Sequence, residues 1–146
     1  MSLTNAAEQA FLDLLFLNVD WANIGDPSGL QNSATAGNFY ISLHTADPGE
    51  TGDQTTNETS YTNYSRVAVP RDATGWSRTS STMSNAAKIS FPQCTGGTST
   101  ITHFGVGTAN TSTGNLLMKG SLISSLSVSN GIQPEFVIGA LTATID

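Results

Sequence analysis

The chain has 146 residues, of which 38% are hydrophobic and 11% charged, with a formal charge of −6. That length fits one domain with its own core. The five Lys and Arg residues are scattered, which excludes the clustered positive field of a nucleic-acid surface and gives no basic face for an anionic membrane.

The polarity comes from Ser, Thr, Asn and Gly. These suit strands and turns, and can be buried against other protein at less cost than charges. The first predicted element is a helix. Asn5 is placed as its cap, with Glu8 three residues on as the capping-box partner. Ala7, Ala10, Phe11, Leu14 and Leu15 fall at helical spacing, while Leu12, Phe16 and Leu17 fill the other side. A helix apolar nearly all round must be covered on more than one face. Either the domain's own core or another chain supplies that cover. The run at 10–17 is too short to span a membrane, and no Lys or Arg precedes it as in a signal peptide. A long loop follows at 18–37, marked by Asp26-Pro27 and glycines, with Trp21 and Ile24 as its anchors.

From residue 38 the period changes to two. "NFYISLHT" alternates Phe39, Ile41 and Leu43 against Tyr40, Ser42 and His44. Further strands are predicted at 64–69, 87–91, 100–107, 114–122 and 140–145, and Asn130-Gly131 is read as a hairpin turn. Phe39, Ile41, Val67, Ile89, Phe91, Phe104, Phe136 and Leu141 are expected inside. Regular short strands after one helix indicate a β-sandwich, jelly roll or distorted barrel, and the expected fold is mainly β, a single-domain, jelly-roll-like β-sandwich with one N-terminal helix. Residues 1–37 form its N-terminal helix and arm, and 38–146 the sandwich.

Between the first two strands lies "LHTADPGETGDQTTNE", with acids at Asp47, Glu50, Asp53 and Glu58. They do not alternate as calcium ligands do in an EF-hand loop. His44, His103 and Cys94 lie on separate segments, without zinc-ligand spacing. Cys94, the one cysteine, excludes an intrachain disulfide and reads as a small buried apolar residue. There is no G-x-S-x-G elbow, and no phosphate-binding glycine pattern opens a helix. The chain is therefore read as non-enzymatic, with no catalytic, cofactor-binding or metal residues and no cofactor. The acidic loop is read as a surface excursion that starts at the turn Asp47-Pro48-Gly49.

The stretch "LHTADPGETGDQTTNETSYTNYSRVAVPR" resembles small virion proteins of tailed bacteriophages. The resemblance continues in "SNAAKISFPQCTGG", "ITHFGVGTA", "GIQPEFVIGALTATID" and "MSLTNAAEQAFLDLLFLNVDWANIG", and so covers essentially the whole chain. Members are often labelled tail fibre proteins, and proteins of this size and composition also serve as capsid cement, or head decoration, proteins. The resemblance implies no catalytic residues. The first expectation is a cement protein on the capsid surface, made in the host bacterial cytoplasm and bound to the major capsid protein and to itself as a homodimer or homotrimer. It would contact neither nucleic acid nor membrane. The alternative is a tail fibre, tail adaptor or head-fibre protein for host attachment. Phe11, Leu12, Leu15, Phe16, Trp21, Asp47, Glu50 and Asp53 are the candidate interface residues.

Overall fold

The computed structural model describes residues 1–145. They are mainly β, with one helix and antiparallel sheets, consistent with the β-sandwich expected from the sequence. In chain order the elements are α1 (Asn5–Leu17), β1 (Asn38–His44), β2 (Val67–Pro70), β3 (Trp76–Thr79), β4 (Thr82–Asn85), β5 (Ile89–Ser90), β6 (Ser99–Gly107), β7 (Leu116–Val128), β8 (Glu135–Phe136) and β9 (Thr142–Thr144). The segments group into two compact units. One joins Met1–Gly37, Pro70–Ile89 and the segment from Phe136; the other joins Asn38–Val69 and Ser90–Glu135.

In the first unit α1 starts at Asn5 itself, the residue expected as its cap. Thr4, in an extended conformation, is the N-cap, and its hydroxyl accepts from the Ala7 N–H at 3.4 Å. Glu8 thus falls one position too far along to close a capping box. Its carboxylate instead accepts the Ser81 hydroxyl at 2.6 Å. The helix ends at Asn18, which takes the left-handed conformation (φ 56°) common after a last turn. Leu12 and Phe16, one turn apart, are fully buried, and the Phe16 ring meets Trp76 edge-on with centroids 4.7 Å apart. Arg71 donates to the helix carbonyls of Leu14 (2.9 Å) and Leu15 (2.7 Å) and to that of Ala36 (3.0 Å). One guanidinium thereby satisfies orphan C-terminal carbonyls of α1 and ties down the arm. Asn18 grips the same arm through Ser33, at 2.8 and 2.9 Å.

The sheet of this unit runs β3-β4-β9. The sequence reading missed β3 and β4. They pair with Thr79 opposite Thr82, leaving Ser80-Ser81 as a two-residue loop. Ser80 sits at φ 54°, a task usually given to Gly or Asn. Without that signal, and with Ser and Thr on both faces, "WSRTSSTMSN" shows no period of two.

In the second unit the sheet runs β2-β1-β6-β7. β1 is an inner strand, and from Ile41 to His44 every residue is buried on both faces. The expected polar face of Ser42 and His44 is therefore not a wet one. Phe39, Ile41, Ile89, Phe91 and Leu141 are buried as expected. Val67, Phe104 and Phe136 are half-buried. Phe104 packs over Gly120, its partner on β7, where an added Cβ would lie 2.5 Å from the ring. Asn130-Gly131 does make a turn, closed by Ile132 N–H to the Ser129 carbonyl at 2.9 Å, with Gly131 at φ 90°. It is not a hairpin: β7 pairs with β6, and β8 with β5. Positive φ at Gly131 alone describes a type II turn, whose twist splays the strands it joins.

Candidate functional site

Each of the four acids in the 45–58 loop has a structural partner. Asp47 accepts the Gly49 N–H at 2.8 Å. Asp47 and Glu50 share the Lys119 ammonium, at 3.1 and 3.0 Å. Asp53 folds the loop on itself, accepting Thr55 N–H at 2.8 Å, Thr55 hydroxyl at 2.7 Å and Thr56 N–H at 3.1 Å. These donors hold the Asp47 and Asp53 carboxyls below the usual carboxylate range. The pairing with Glu50, then Asp47, pushes the Lys119 ammonium up.

Glu58 goes inward. Arg66 grips it with two bonds, Nε to Oε1 at 2.7 Å and Nη2 to Oε2 at 2.8 Å. The guanidinium also donates to the carbonyls of Ala109 (2.9 Å) and Ser112 (2.8 Å), so it pins the 108–115 loop. The Tyr64 hydroxyl donates to Glu58 at 2.9 Å and accepts Leu43 N–H at 3.0 Å. The bonds to Glu58 push the Arg66 guanidinium up, and burial pushes the Tyr64 phenol up. Gln54, fully buried, accepts Ala109 N–H at 2.8 Å. It occupies the space that side chains at Gly107 and Gly114 would need.

Beside this pair lies, among the described residues, the one arrangement with a catalytic look. His44 Nδ1 is 2.8 Å from the Thr56 carbonyl, and Nε2 is 2.8 Å from Ser42 Oγ. A carbonyl only accepts, so Nδ1 carries the proton and Nε2 accepts from Ser42. A hydroxyl held on the free nitrogen of an oriented imidazole is the geometry of a nucleophile and its base. Both side chains are 0% exposed, however. Gly105 seals them in: a Cβ there would stand 2.7 Å from Ser42 Oγ and 2.9 Å from His44 Nε2. With no path for a substrate, the pair acts as a latch between β1 and the 45–58 loop. Burial pushes the His44 pKa down, against the Thr56 bond and Glu58, which raise it. His103, the chain's other histidine, is the register partner of His44 on β6.

The candidate interface residues divide. Leu12 and Phe16 are fully buried within the first unit, so they offer nothing to another chain. The helical period had placed them opposite Phe11 without showing which side the sheet would take. Phe11 is 40% exposed; Leu15 and Trp21 are half-buried. Asp47 and Glu50 are exposed, and Asp53 half-buried. In the first unit an open groove of about 590 Å³ is lined by Asp13, Leu17, Trp76, Arg78, Asn85 and Ile138, among others. Its charges are spent on each other, with Arg78 Nε to Asp13 Oδ1 at 2.6 Å. Asn85 binds the backbone at Ala87, Val137 and Leu141. Sequence reasoning missed the inner network of Ser42, His44, Gln54, Glu58 and Arg66. Its only signal was two polar residues, Ser42 and His44, on one face of an otherwise apolar strand.

Among the described residues no group of three or more His, Cys, Asp or Glu is placed to hold a metal ion. Among the same residues no helix is long and apolar enough to cross a membrane. No curated protein matches the chain. A family model described as podophage GP4 fiber I protein gp80 matches residues 2–144. With nearly the whole length matched, the chain belongs to this family and is a structural protein of the phage virion.

Proposed function

We propose that the protein is a fibre-associated subunit of the virion that helps build or position an attachment structure, and that it works without catalysis. The observation that carries this reading is the match over residues 2–144 to a family described as a fiber protein. It favours the fibre alternative over the capsid cement role that the virion resemblance had first suggested. The sealed Ser42 and His44 pair supports a non-enzymatic role, because the best nucleophile geometry is closed to substrate. Scarce charge, at 11% of residues, also suits a subunit that lies against other protein.

Copy number and loss of function test the reading together. A fibre-associated subunit is expected in a few to a few tens of copies per particle, by quantitative staining of purified virions. Particles lacking it should keep their DNA on heating but adsorb less well to host cells. Hundreds of copies, with deleted particles that shed DNA on mild heating and adsorb normally, would overturn it in favour of cement.

A further inference from the structure

We infer that β7 is a self-association edge, and that two copies of the chain pair antiparallel along residues 121–127 about a twofold axis at Ser124. β7 ends its sheet, and among the described residues no strand pairs with its outer side. On its inner side the ladder to β6 is interrupted. Ile101 faces Leu126 and His103 faces Ser121, so the four residues 122–125 stand opposite Thr102 alone. From Ser121 to Ser127 every residue is exposed except Leu122, which is half-buried, and Ile123 is fully exposed. Consecutive exposed residues mean that both faces of the strand are open here, as well as its edge.

Free edges are normally guarded by charge, by proline or by shortness. The opposite edge of this sheet, β2, is four residues long and ends in Pro70. β7 is 13 residues long and has no charged residue or proline after Lys119. Its bulge is the one guard present, and the bulge carries the most exposed apolar side chain of the unit. Lys119, at the near end, is already neutralised by Asp47 and Glu50. An uncharged edge excludes a partner chosen by charge.

The partner is identified by the sequence of the edge. "SLISSLS" reads nearly the same in both directions about Ser124. Antiparallel pairing about that residue sets Ser121 against the second copy's Ser127, Leu122 against Leu126, Ile123 against Ser125, and Ser124 against itself. Leu meets Leu and, except where Ile123 meets Ser125, hydroxyl meets hydroxyl, the kinds of cross-strand pair that stabilise a sheet. A twofold contact needs this self-complementarity, since every contact in it is made twice. The contact belongs to the free chain in solution, so it stands or falls separately from the place of the protein in the virion.

The test is a disulfide scan of the full-length protein. On the axis, Ser124→Cys brings two thiols within the ~4.4–6.8 Å Cα separation that a disulfide spans. Ser121→Cys leaves them roughly 20 Å apart, at six residues' rise. Under mild oxidation Ser124→Cys should give a covalent dimer, and Ser121→Cys should not unless combined with Ser127→Cys. The parent, whose Cys94 is buried, should give none. In sedimentation the parent should be a dimer, and Ile123→Lys should weaken it by roughly tenfold or more. Circular dichroism of each variant confirms that these surface changes leave the fold intact. A parent that stays monomeric at high concentration, an equal cross-link at Ser121→Cys, or a trimer without the Ser124 link would each overturn the inference.

Discussion

At the scale of single residues, one largely buried ion pair holds two loops together. The contact between Arg66 and Glu58 is bidentate, with side-chain exposures of 4% and 15%. Removing one member leaves the other buried and uncompensated, which costs about 3–5 kcal/mol. Arg66→Met should therefore lower the denaturant midpoint sharply, and hydrogen exchange should quicken at 45–58 and 108–115, the two loops the guanidinium joins. His44 gives a pH signature. Its pKa is lowered by burial, so the unfolded chain takes up the proton first as pH falls. Its contribution is whole above the ordinary imidazole value of about 6.5 and is lost as pH drops from there toward the folded-state value. Unfolding free energy measured from pH 7.5 to 5 should fall for the parent and run flatter for His44→Gln. An equal slope in both proteins would remove His44 as the cause.

At the scale of elements, α1 and the 45–58 loop exchange the roles their composition implies. The apolar helix is largely a core element, because Leu12 and Phe16 lie one turn apart and both reach the interior of their unit. Phe16→Ala removes the ring that meets Trp76 and should cost about 3–5 kcal/mol. Near-ultraviolet dichroism should show the loss, since Trp76 reports on that contact. Phe11→Ala, at a position 40% exposed, should change stability far less. Unfolding midpoints that shift equally in the two variants would mean that Phe16 is not the core face. The acidic loop is held by its own Asx-type turns and by Lys119, Arg66 and His44. It is an ordered wall of the second unit, whatever it also offers outward.

At the scale of the whole molecule, neither compact unit is one continuous stretch of chain. The first draws together the N-terminal helix and arm, the β3 and β4 hairpin and the C-terminal strand β9. A chain cut to residues 38–146 would strip α1 from β3 and β4, on which it packs, and leave buried Trp76 without the Phe16 ring. Such a truncation should lose ordered structure around β3, β4 and β9, seen as collapsed amide dispersion for residues 76–85 and 142–144. Full dispersion there would show that 38–146 folds without the helix.

The sequence by itself determined a helix running from an Asn5 cap to Leu17, strands beginning at Asn38 and running over 100–107, and the mainly β class. Each rests on local periodicity or on residues with a fixed backbone preference. It also carried the virion resemblance, through motifs spread over the whole chain. Only the tertiary structure decided which side of α1 is core, since an all-round apolar helix has no period that names its covered face. It decided that β1 is buried on both faces, because the placement of a strand within its sheet depends on partners 59 to 67 residues away in β6. It supplied the β3 and β4 hairpin, held by register and by a serine at positive φ. It left β7 at an open edge, because an edge is defined by the absence of a neighbour on one side, and no single stretch of sequence records that.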